Sequence, residues 1–114
     1  MRLDPYLLVV APRERASRAI IVLRAGGYQV TKLAEPAHML REVARMQPDG
    51  VVLDLPPMQA NRLVQELRTA APHVPAVVVT SAPMLVDART VSRAELATEL
   101  ITAVDRMLVD AMVA

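Results

Sequence analysis

Short apolar runs alternate along the chain with amphipathic stretches, and this alternation predicts the fold. Residues 6–10, YLLVV, are continuously apolar and end at Ala11 and Pro12, as expected for a strand buried on both faces. The stretch RERASRAIIVLRAGG sets Ala16, Ala19, Ile20 and Leu23 at helical spacing before a Gly26-Gly27 stop. Residues 28–34, YQVTKLA, alternate and are rich in strand formers; the helical pattern of Met39, Leu40, Val43 and Met46 follows and breaks at Pro48. A third strand is expected in GVVLDL and a third helix in NRLVQELRTA, with Leu63, Val64 and Leu67 turned inward. A fourth strand is expected at residues 75–80.

Such βαβαβαβ order predicts an α/β, flavodoxin-like, doubly wound sheet with four parallel strands, helices on both faces and right-handed crossovers. The last helix is marked by Ser92 and Glu95 at capping-box spacing and by a broad apolar face. Only eleven residues separate Thr80 from Ser92, too few for a helix and a strand together. A strand over 84–88 parallel to the fourth would carry the chain back about 17 Å, whereas residues 81–83 reach only about 10 Å. This stretch is therefore expected to be an antiparallel fifth strand or an irregular loop, with the apolar Met84, Leu85 and Val86 favouring the strand.

Composition narrows the function classes. A length of 114 residues and 54% hydrophobic content fit one domain spanning residues 1–114. Tyr6 and Tyr28 are the only aromatic residues, which leaves no stacking platform for single-stranded nucleic acid. The net charge of +1 gives no field that would attract a polyanion. Without cysteine there is no disulfide, thiol nucleophile or thiolate metal site, and His38 and His73 lack any ligand pattern around them. No apolar stretch approaches the roughly 20 residues of a membrane span, so a cytoplasmic protein without membrane or nucleic-acid partners is expected.

In PDGVVLDLPP, residues 48–57, an apolar strand delivers Asp54 to its carboxyl end. This segment, together with LLVVAPRERASRAIIVLRAGGYQV, HVPAVVVTSA and RTVSRAELATELITAV, resembles the receiver domain of two-component response regulators over nearly the whole chain. The resemblance implies that Asp54 stands at the phosphoacceptor position, Thr80 at the switch hydroxyl and Arg89 at the invariant lysine. It also implies a magnesium ion held by an acidic pair after the first strand, by the acceptor and by a backbone carbonyl, here that of Pro56. A carboxylate attacking a phosphoryl dianion needs that cationic charge.

The chain departs from this pattern. Ala11 and Pro12 replace the acidic pair, with Arg13 next and Glu14 the one nearby acid; so few oxygens do not hold a hard divalent ion, and no cofactor is expected. Thr90 follows Arg89 where the family has proline, Val86 stands where an aromatic switch is implied, and the family's fourth helix has no counterpart. These departures describe a degenerate receiver, a pseudo-receiver, in which Arg13 or Arg89 pairs with Asp54 in place of the ion. The alternative is that Asp54 is solvated and both arginines point to water.

Three function classes stay open. One is a signalling module that binds a protein partner, or itself as a homodimer, without phosphorylation; Leu100, Val104, Met107, Leu108 and Met112 on the last helix are its candidate interface. Another is a working phosphoacceptor with an unusual metal arrangement. The third, a small-ligand module, lacks a glycine-rich turn after the first strand. Enzyme chemistry has no constellation, since Ser81, His73 and Asp87 share no catalytic spacing.

Overall fold

The computed structural model describes residues 5–13, 17–85 and 87–113. The apolar runs form the centre of a five-stranded sheet, because Leu and Val side chains can fill both faces of a covered strand. β1 (Tyr6–Val10) lies between β2 (Gln29–Leu33) and β3 (Gly50–Leu53). β4 (Ala76–Thr80) and β5 (Arg89–Ser92) complete the order β2-β1-β3-β4-β5, with every neighbouring pair parallel.

Side chains alternate across the sheet. Leu7, Val9, Val52, Val77, Val79 and Val91 pack on one face against α1 (Arg18–Ala25) and α4 (Leu96–Val113). Leu8, Val10, Val51, Leu53 and Val78 pack on the other against α2 (Met39–Met46) and α3 (Pro57–Ala70). The inward residues expected on the helices, including Ala19, Ile20 and Leu23 of α1 and Leu63, Val64 and Leu67 of α3, are buried there. Helix α3 starts earlier than its apolar pattern suggests, because Pro57 sits in its first turn, where a missing N–H leaves no helical bond unmade.

The fifth strand corrects the sequence reading. It is parallel, and it occupies Arg89–Ser92 rather than 84–88. Eight residues, 81–88, make the return from β4, and at about 3.3 Å each they span the sheet comfortably. The apolarity of this stretch had another cause: Met84 and Ala88 pack as loop residues on the core beside α3, while Leu85 is 91% exposed. The Arg68 guanidinium on α3 donates to the carbonyl of Asp87 and holds the far end of the loop. Among the described residues no helix lies between β4 and β5.

The last helix also differs from expectation. Ser92 closes β5 and precedes a 3-10 turn, Arg93–Glu95, without making a side-chain cap bond. Leu100, Val104 and Met107, expected at an interface, are buried against the sheet, since positions 100, 104 and 107 form one helical face. Leu108 is half-buried on the same core, and Met112 alone of the five is freely exposed. Gly50 belongs to this packing, because a Cβ there would lie 2.5 Å from Met107 Cε. Glu14, Ala16 and Val86, to which the sequence reading gave roles, lie outside the described residues.

Candidate functional site

Parallel pairing delivers several polar side chains to one edge. Val10 pairs with Leu53 and Thr80 with Ser92, so the residues that follow β1, β3, β4 and β5 leave the sheet together at its carboxyl edge. Asp54 is the first residue past β3, and its N–H still donates to the carbonyl of Val10 at 2.9 Å. The strand order reverses direction between β1 and β3, and ligands of doubly wound sheets lie at such a point.

Asp54 is 2% exposed, and protein groups engage both of its carboxylate oxygens. Arg93 Nη1 lies 2.6 Å from Oδ1. The Ser17 hydroxyl donates to Oδ2 at 2.8 Å. Ser17 is itself buried, at the amino cap of α1, and makes no cap bond with its side chain. The second terminal nitrogen of Arg93 points to the carbonyl of Val79 at 3.4 Å, which aims the guanidinium along the strand ends. Charge-assisted bonds of this length are among the stronger protein contacts, and a carboxylate this buried needs them.

The arginines expected at Asp54 stand elsewhere. Arg13 pairs with Glu35 at 2.7 Å on the surface. Arg89 opens β5 at the opposite edge and pairs with Asp110 of α4 at 2.6 Å. Arg89 was placed near Asp54 by a fifth strand set too early, and Arg13 by its position after β1, where Glu35 takes it instead; with the strand at Arg89–Ser92, the basic residue at its carboxyl end is Arg93. Sequence reasoning missed Ser17 because a serine before a helix reads only as a cap.

Thr80 closes β4, and its hydroxyl donates to the carbonyl of Ala82 at 2.7 Å while accepting the Ala82 N–H at 3.1 Å. An open cleft of about 390 Å3 lies beside it, lined by Pro12, Leu55, Pro56, Thr80, Ser81 and Arg93 among others. Ala11, at one of the positions where the resemblance implies an acid, is fully buried and donates its N–H to Leu33. Among the described residues no group of three or more His, Cys, Asp or Glu side chains converges. His38 and His73 are both exposed. No described helix is long and apolar enough to cross a membrane.

No family model matches this sequence, and no curated protein matches it. Solved structures do. A signal receiver domain of an HD domain-containing protein from Pseudomonas fluorescens superposes with a TM-score of 0.77 at 19% identity, over 97% of this chain and 99% of that one. A CheY-like response regulator receiver domain protein from Methanospirillum hungatei gives 0.73 at 18% identity, over 96% and 97% of the two chains. The pseudo-receiver domain of the CikA protein gives 0.65 at 21% identity, over 91% and 97%. At such identities the likeness speaks to architecture, and the architecture is the CheY-like receiver fold.

Proposed function

We propose that this chain is a degenerate receiver domain that acts in signal transduction by protein contact and takes no phosphoryl group on Asp54. The observation that carries this reading is the engagement of both Asp54 oxygens, by Arg93 and by Ser17, at a carboxylate only 2% exposed. Phosphoryl transfer to a carboxylate needs a free oxygen in line with the phosphorus and a cation to screen the two negative charges. Here the cation is a side chain bound to the nucleophile itself, and the acceptor position serves as one end of a structural ion pair. Ala11 and Pro12 supply no side-chain oxygen for a divalent ion.

The alternative, a working acceptor with an unusual metal arrangement, draws support from the cleft beside Thr80, Ser81 and Arg93. Amide NMR spectra with magnesium and beryllium fluoride, the mimic of an acyl phosphate, separate the two. Under the proposed reading, resonances at Asp54, Thr80 and Arg93 stay in place. Saturable shifts there that vanish in Asp54→Ala would overturn it.

A further inference from the structure

The amino edge of the sheet carries two uncovered apolar features. Helix α4 is 18 residues, about 27 Å, whereas the strands beneath it have four or five residues and run about 17 Å at most. Met107 and Leu108 pack over Gly50, the first residue of β3, so the last five residues of α4 run past the sheet by about 7 Å. Val109, Met112 and Val113 on that overhang are 58%, 72% and 80% exposed. On the opposite face, where α2 and α3 end, Leu40, Val43, Ala44, Ala71 and Val74 line a groove of about 560 Å3 with His73 on its wall.

These features sit at the same edge and at the same place across the sheet. The groove borders Pro48 and Val74, just ahead of β3 and β4; the overhang lies beyond Gly50 of β3 and is tied by Asp110 to Arg89 of β5. Because they lie on opposite faces, they cannot cover each other within one chain. A two-fold axis in the plane of the sheet and perpendicular to the strands turns one face into the other and keeps the position across the sheet. Two copies meeting amino edge to amino edge therefore set each overhang against the other's groove, and the contact closes on itself. The surfaces match chemically as well: Val109, Met112 and Val113 on the overhang are apolar, and so are Leu40, Val43 and Ala44 on the groove.

We propose that a second copy of this chain docks here, each protomer placing the α4 end around Met112 in the α2–α3 groove of its partner. The proposal names the partner for the contact-based reading above and rests on it. The sequence contains no cysteine, so single-cysteine variants report the contact cleanly. Both Met112 and Ala44 are exposed, and neither substitution disturbs the core.

Oxidising a mixture of Met112→Cys and Ala44→Cys proteins is expected to join one chain of each kind, while neither variant forms a dimer alone. In sedimentation equilibrium the unsubstituted chain is expected to dimerise, and Met112→Asp to weaken that dimer about tenfold or more. Self-joining of Met112→Cys, no joining in the mixture, or a chain monomeric at all concentrations overturns the proposal. A monomer whose Asp54 ignores beryllium fluoride sinks the dimer and leaves the dead-switch reading intact. A dimer whose Asp54 responds sinks that reading instead.

Discussion

The two edges of this sheet solve opposite problems. At the carboxyl edge, polar groups that could do chemistry are turned on one another: Asp54 binds Arg93 and Ser17, and the Thr80 hydroxyl is occupied by the peptide of Ala82. At the amino edge, apolar groups that could be covered are left open, on the α4 overhang and in the α2–α3 groove. Under the proposed reading, the contrast teaches that one fold can lose reactivity and keep recognition, because the two properties sit about one strand length apart and draw on different residues.

The contrast breaks hardest along α4 itself. Leu100 is fully buried and Met112 is 72% exposed on the same helix. Leu100→Ala is expected to cost about 2–5 kcal/mol in urea unfolding, and Met112→Ala less than about 0.5 kcal/mol in the monomer. Similar losses at both positions would mean that the overhang is covered within the chain, and the distinction between the edges would fall.

The carboxyl edge is tested next by removing one half of its ion pair. Arg93→Ala strands a carboxylate that is nearly inaccessible, and a loss of about 3 kcal/mol is expected, held below the upper range for buried pairs because Arg93 is itself 34% exposed. Adding Asp54→Asn should return most of that loss, since the neutral amide no longer needs a counter-charge. Strictly additive effects in this double-mutant cycle would show that the two groups are not coupled.

Smaller effects sharpen the picture. Ser17→Ala removes one hydrogen bond to a buried carboxylate and is expected to cost about 1.5 kcal/mol. Arg13→Ala breaks an exposed pair with Glu35 and should cost under about 1 kcal/mol. A reversal of that order would place the dominant electrostatics of the carboxyl edge on its surface rather than at Asp54.

Much of this fold is legible in the sequence, and the missing parts have physical causes. Val9, Val52 and Val78 lie in strands covered on both faces, so burial is written as unbroken apolar runs. In β5 only Val91 is buried; Arg89, Thr90 and Ser92 are exposed on an edge strand. Such a strand has no apolar signature and exists because β4 pairs with it. Misplacing it moved the expected basic residue from Arg93 to Arg89, whereas the structure pairs Asp54 with Arg93. On α4, hydrophobicity counted alone gives no way to separate Leu100, which faces the sheet, from Met112, which lies beyond its end; the length of the strands decides that.

The return at 81–88 also marks a place where foreign sequence can enter this chain at low cost. Leu85 stands 91% exposed at its middle, while Met84 and the Arg68 contact to Asp87 hold the flanks. Lengthening a surface connection adds only about 0.6 kcal/mol of closure entropy for each doubling of its length. An inserted epitope or fluorescent module at Leu85 would thus leave both edges of the sheet intact, and would give a tagged chain in which the ion pair of one edge and the open surface of the other can be followed separately.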